Sequence, residues 1–283
     1  MSDQKVAVIT GSSSGIGLLT AIEFAQNGYL VVATMRDLSR SGRLEETAEK
    51  AGVREKLDLR RLEVTEFDSL AGVIDAIVRD HGRIDVLVNN AGFSVSGFGE
   101  DLLLSEIRHQ FETNFFGNVA MTKAVLPVMR AQKSGHIIQV TSVAGRLGQP
   151  MLSAYSASKF ALEGFSESLR IETHSLGIRV VLVEPGSFDT DIWTRNVMVG
   201  KGALDPNSPN KERTQRLVKV IKKDSGKRRD ARDVARLILR IANNPHPRLR
   251  YMIGKDAKMQ LWAKRLLPWT RYERTVAKVA KID

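Results

Sequence analysis

Val6-Ala-Val-Ile-Thr-Gly-Ser-Ser-Ser-Gly-Ile-Gly17 joins a short apolar run to a glycine-rich turn. The run Val6–Ile9 reads as a strand buried on both faces. The turn behind it, Gly11-x-x-x-Gly15-x-Gly17, is built from residues small enough for backbone N–H groups to approach a phosphate. A helical pattern then runs to Asn27-Gly28, and a helix N-terminus adds partial positive charge at the same place. Outward from this stretch, apolar runs at 30–33, 57–62, 84–88, 136–140, 178–183 and 249–253 read as further strands. Helical patterns lie between them, over about 38–51, 67–80, 101–132, 153–175, 211–223 and 231–242. The stretch 186–210 reads as a long irregular loop. Strands alternating with helices predict an α/β fold, a parallel sheet covered on both faces and doubly wound by right-handed crossovers.

Ligands of such a sheet bind at the carboxyl ends of its strands. The polar stretches gather at that edge. Gly11–Gly17 follows the first strand, Arg36 the second and Asn89–Gly92 the fourth, while Glu63 closes the third. Ser142 follows the fifth, and Pro185-Gly186 the sixth. Tyr155 and Lys159 are four apart in Tyr155-Ser-Ala-Ser-Lys159, so a helix puts them on one face. A nearby ammonium favours the phenolate and is expected to lower the tyrosine pKa from its usual value near ~10. A seryl hydroxyl from a strand end can hold the same substrate oxygen. Together these groups can move one proton to or from an alcohol or ketone.

The composition bounds the class. The 283 residues suit one large α/β domain or two small ones, and 27% charged with 42% hydrophobic residues is a globular balance. With no cysteine there is neither disulfide nor thiol chemistry, which suits a reducing compartment, and a cytoplasmic location is expected. The first strand starts at Lys5, leaving no room for a signal peptide, and no run of about 18 apolar residues exists to span a membrane. No metal site is expected. The net charge of +11 is uneven: residues 211–283 hold 22 Lys/Arg against 7 Asp/Glu. No nucleic-acid-binding motif accompanies that excess, so no nucleic-acid partner is expected.

Thr10–Gly17, Asn89-Asn-Ala-Gly92, Asn114, Ser142, Tyr155, Lys159 and Pro185-Gly-x-x-x-Thr190 together resemble the short-chain dehydrogenase/reductase family, over roughly residues 5–255. The nearest likeness is to its hydroxysteroid and retinol dehydrogenases. The resemblance implies a Rossmann-like domain over 1–255 with a seven-stranded parallel sheet, and a nicotinamide cofactor. It implies that Tyr155 is the general acid/base, that Ser142 binds the substrate oxygen, and that Lys159 holds the nicotinamide ribose and lowers the tyrosine pKa. Asn114 would anchor a water linking Lys159 to solvent. Gly11, Ser12, Ser13, Gly15, Ile16 and Gly17 would surround the pyrophosphate, and Asn89, Ala91 and Gly92 would line the cofactor. Pro185, Gly186 and Thr190 would flank the nicotinamide. Glu63 and Val64 stand where the family usually has aspartate and an apolar residue beside the adenine. In Ala33-Thr-Met-Arg-Asp37, Arg36 is read as the binder of a 2′-phosphate, with Ser12 or Ser13 assisting, so NADP(H) is favoured over NAD(H). One step of misregister would instead make Asp37 an NAD-selecting acid.

Phe93, Val143, Leu147, Leu152 and Phe188 lie beside these motifs and are the candidate substrate pocket, expected to take a small hydrophobic alcohol or carbonyl compound. A 3-oxoacyl-carrier reductase and a non-catalytic dinucleotide sensor are the alternatives. The resemblance also implies a homodimer or homotetramer paired through the helices that carry Asn114 and Tyr155. Residues 256–283 read as a basic amphipathic tail, split by Pro268, with Met259, Trp262, Leu266, Trp269, Tyr272 or Val276, and Val279 as its apolar stripe. Packing of that stripe on the body or on a twin subunit is favoured over a lid or a helix on an anionic membrane.

Overall fold

The computed structural model describes residues 4–223, 226 and 228–283. Eleven strands occur among them: β1 (Val6–Thr10), β2 (Leu30–Met35), β3 (Leu57–Arg61), β4 (Val86–Asn89), β5 (Ser94–Ser96), β6 (Gly135–Val140), β7 (Ile178–Pro185), β8 (Phe188–Asp189), β9 (Val197–Val199), β10 (Arg229–Asp230) and β11 (Arg250–Ile253). Seven form one parallel sheet in the order β11-β7-β6-β4-β1-β2-β3. The chain builds outward from β1 to β3, then returns to lay β4 on the other side of β1. That reversal opens a crevice beyond the ends of β1 and β4.

The apolar strands are continuous because both faces are covered. Within β1, Ala7 and Ile9 join one core layer while Val6 and Val8 join the other. The first layer packs under α1 (Gly15–Gln26) and α8 (Arg232–Ala242), with Phe24 and Ile238 fully buried. The second packs under α3 (Phe67–His81) and α5 (Asn118–Gln132), with Leu70, Ile74, Met121 and Met129. Each such side chain contributes about 1.5–3 kcal/mol by leaving water. The remaining helices are α2 (Gly42–Lys50), α4 (Leu104–Phe111), α6 (Ser153–Glu172), α7 (Lys211–Lys223), α9 (Lys255–Leu266) and α10 (Trp269–Ala280).

The sequence reading needs two corrections. The region 101–132 is not one helix: α4 and α5 are joined by a π-helical segment, Glu112–Gly117, that carries Asn114. There Gly117 lies so near Val64 that a Cβ would come within 2.7 Å of its Cγ2. The stretch 186–210 is not wholly irregular, since β8 pairs with β10 and β9 with β5. The tail splits at Pro268 as expected, and its apolar residues divide between an inner and an outward face. Ala257 packs on Val143 and Leu147, and Ala280 on Met151 and Leu217. Tyr272 is buried, whereas Met259, Trp262, Leu266, Trp269 and Val279 face outward.

Candidate active site

A cavity of about 1490 Å³ runs along the carboxyl ends of the strands. One end is polar. There Gly11, Ser13, Ser14, Gly15 and Ile16 form the wall at the N-terminus of α1, whose first turn holds no acidic residue. Gly11 has φ +69, and a Cβ on it would come 2.9 Å from Ala91 Cα. This turn therefore needs glycine both for conformation and for space. Thr10 locks it to the neighbouring strand end: its Oγ1 accepts from Asn90 N and Ala91 N, both at 3.0 Å. Asn90 Nδ2 returns a bond to Thr10 O at 2.9 Å. Exposed N–H groups, small side chains and a positive helix end suit a pyrophosphate.

Next to this cradle, Arg36 and Arg40 line the cavity beyond β2. Asp37 lies between them in sequence and also borders the cavity. Its Oδ1 accepts from Ser39 N at 3.0 Å and from Ser39 Oγ at 2.7 Å. Those two bonds, the larger from the hydroxyl, hold its pKa below the usual carboxylate value. Asp37 thus caps the following turn, and two guanidinium groups remain at the cavity wall. Leu62, Glu63, Val64 and Thr65 close this end, with Glu63 Oε1 accepting from Thr65 N at 3.3 Å.

Tyr155, Ser142 and Lys159 meet at the middle of the cavity. Ser142 lies two residues past β6, and its Oγ accepts from Ala144 N at 3.1 Å. Tyr155 is buried beside Ser142 at the cavity wall. Lys159 Nζ stands 5.8 Å from the Tyr155 ring centroid and donates to Val140 O at 2.9 Å. The expected lowering of the tyrosine pKa is not found. Burial dominates and pushes Tyr155 up to about 12, opposed only by the Ser142 hydroxyl. Burial also brings Lys159 down to about 8, with Glu163 opposing. Among these residues, at neutral pH, the tyrosine is a protonated phenol and the lysine an ammonium.

Several expected contacts fall elsewhere. Ser12 does not reach the cavity: it is buried, and its Oγ donates to Ile9 O at 2.9 Å. Gly17 lies beneath the turn, where a Cβ would run into Gly11 O. Asn89 also sits under the floor, donating to Asn118 O and Thr122 Oγ1. Ala91 and Gly92 line the cavity as expected, with Asn90 beside them in place of Asn89. Both side-chain ends of Asn114 are committed to Phe93: Oδ1 accepts from its N at 3.1 Å and Nδ2 donates to its O at 2.9 Å. Pro185, Gly186 and Thr190 are at the wall as expected.

Sequence reasoning missed Asn90, Glu163 and Asp256. Asn90 was visible as the second asparagine of Asn89-Asn-Ala-Gly92. Glu163 lies one turn past Lys159, where its Oε1 accepts from Thr141 Oγ1 at 2.7 Å and its Oε2 pairs with Arg250 at 3.1 Å. Burial and the neighbouring Glu184 push its pKa up to about 7. Asp256, at the start of α9, accepts from Ser187 N at 2.7 Å and so pins the turn after β7. No local sequence signal marks it.

The other end of the cavity is apolar. Phe93, Val143, Leu147, Leu152 and Phe188 all line it, as the sequence suggested. The irregular stretch adds Trp193 and Met198, and α7 adds Leu217 and Ile221. The tail completes the wall with Met259 and Ala263 from α9, and Tyr272, Val276 and Val279 from α10. Among the described residues no helix is long and apolar enough to cross a membrane.

Known proteins resemble this chain in sequence and fold. A sequence profile described as short chain dehydrogenase matches residues 5–198. An uncharacterized oxidoreductase, YusZ of Bacillus subtilis, is 39% identical over 277 residues, covering 98% of each chain. Human retinol dehydrogenase 8 is 38% identical over 253 residues, covering 87% of this chain and 80% of that one. A short-chain dehydrogenase from Streptomyces avermitilis superposes with a TM-score of 0.82 at 30% identity, over 99% of this chain and 98% of that one. A metagenomic short-chain oxidoreductase, solved in complex with NADP, gives 0.69 at 26% identity, over 88% and 96%. With the glycine turn, the Ser142–Tyr155–Lys159 set and the seven-stranded sheet in place, the chain belongs to the short-chain dehydrogenase/reductase family of oxidoreductases and resembles its retinol and hydroxysteroid dehydrogenases.

Proposed function

We propose that this chain is an NADP(H)-dependent oxidoreductase that interconverts a hydrophobic alcohol and its ketone or aldehyde, with reduction as the favoured direction. The observation that carries the reading is the meeting of a buried Tyr155 with Ser142 and Lys159 between a polar and an apolar half of one cavity. The glycine cradle and the two arginines suit a dinucleotide with a 2′-phosphate, and a structural neighbour is titled as a complex with NADP. When bound, the nicotinamide supplies the hydride. The chain supplies the rest. Ser142 Oγ holds the substrate oxygen. Tyr155 Oη holds the proton that this oxygen needs, and its burial keeps that proton in place until the oxygen becomes basic. Lys159 keeps a positive charge one helical turn away and stabilises the phenolate left behind. The apolar wall excludes water and prefers a hydrophobic substrate, as the name of retinol dehydrogenase 8 implies for that relative.

The exposed Phe116 and Phe160 support a homo-oligomer paired through the helices that carry Asn114 and Tyr155. The catalytic reading is tested with Tyr155→Phe and a panel of hydrophobic ketones. Turnover is expected to fall by at least about 10²–10⁴-fold while NADPH still binds. Near-normal turnover by the variant would end the assignment.

A further inference from the structure

We infer that the outer face of α9 and the start of α10 seats this protein on an anionic lipid surface, with the mouth of the cavity held at the contact. The exposed positions of α9 fall at helical spacing and alternate in kind: Lys255, Lys258, Met259, Trp262, Arg265 and Leu266. Leu267 and Trp269 continue the apolar part past the bend. The large side chains are well outside the fold, with Trp262 58%, Leu266 70% and Trp269 63% exposed. Scattered apolar residues are ordinary on a surface, but a contiguous patch of this kind marks a contact.

Charge decides what the contact is. Residues 255–283 hold eight Lys/Arg and three Asp/Glu, and Lys211, Arg216, Lys219 and Lys223 extend the basic surface along α7. A second copy would bring cations against cations, whereas an anionic bilayer meets them with opposite charge. Tryptophan and leucine between cations suit the boundary between headgroups and acyl chains, where an indole ring has both an apolar and a polar neighbour. Met259 and Val279 link the two sides: each is 68% exposed and each also lines the apolar half of the cavity. The surface therefore meets the pocket at its rim, where a hydrophobic substrate can leave a bilayer without crossing water. This inference concerns the surface alone and is tested without turnover, so it stands or falls apart from the proposed reaction.

The test is flotation of the full chain with vesicles of phosphatidylcholine alone and of phosphatidylcholine mixed with phosphatidylserine. The mixed vesicles are expected to carry at least about tenfold more protein, with binding weakened by added salt. Trp262→Ala/Trp269→Ala and Lys258→Glu/Arg265→Glu are each expected to remove that binding while NADPH affinity stays unchanged. Equal binding to both vesicles, or binding to neither, overturns the proposal. So does full retention of binding by the tryptophan variant, which would leave a purely electrostatic contact. A drop in oligomeric mass in the tryptophan variant, with no vesicle binding by the parent, makes the face a subunit interface and also overturns it.

Discussion

Glu163 links the proton chemistry of the site to pH. It lies one turn beyond Lys159, and its charge raises a lysine pKa that burial has brought down to about 8. An ammonium with that pKa is mostly charged at neutral pH and loses its charge as pH rises through about 8. Reductive turnover is therefore expected to fall on the alkaline side of that point. Glu163→Gln keeps the side-chain shape and removes the charge, so the alkaline limb should move to lower pH. A pH–rate profile of both proteins checks this, and an unmoved limb would remove Glu163 from the account. The residue types of the site were legible because Tyr155, Lys159 and Ser142 fall, together with the glycine turn and Asn89-Asn-Ala-Gly92, in the motif order of a known family. The direction of the tyrosine shift was not. It depends on how deeply the ring is buried, and four residues of spacing do not report depth.

Turns and helix ends carry the next scale. The turn Gly11–Gly17 could be read from sequence because only glycine allows the close approach of Gly11 to Ala91 and of Gly17 to Asn90, whose Nδ2 would lie 2.5 Å from an added Cβ. Gly17→Ala is expected to cost about 1–3 kcal/mol of stability and to weaken NADPH binding, measured by denaturant unfolding and by titration. The tail was readable as two helices around Pro268, but its service to the site was hidden. Asp256 comes from far along the chain to accept from Ser187 N, and a Cβ on Gly186 would stand 2.6 Å from both of its carboxylate oxygens. Gly186→Ala should therefore damage NADPH binding in the parent and do less further harm in an Asp256→Ala background. Additive effects in that double-mutant cycle would show that the two do not communicate. The π segment was equally hidden, since nothing in Glu112–Gly117 distinguishes it locally from an α-helix. At its end, Gly117 lies close against Val64.

At the scale of the whole molecule, one sheet of strand order β11-β7-β6-β4-β1-β2-β3 brings residues 11 to 190 to a single edge. The alternation of apolar runs and helical patterns was enough to read that sheet, because strands buried on both faces leave a distinct signature. The outward stripe of the tail was not readable: periodicity shows that a helix has an apolar face, and only packing shows where that face points. What the assembled edge is for comes down to one ligand. The account holds that it binds a nicotinamide dinucleotide with a 2′-phosphate, recognised by Arg36 while Asp37 is occupied with Ser39. The direct measurement is the dissociation constant of NADPH and of NADH, for the parent and for Arg36→Ala. The account predicts that the parent binds NADPH at least about tenfold more tightly, a difference of about 1.4 kcal/mol, and that the substitution removes this preference with NADH little changed. Tighter binding of NADH by the parent, or a preference that survives the loss of Arg36, would contradict it.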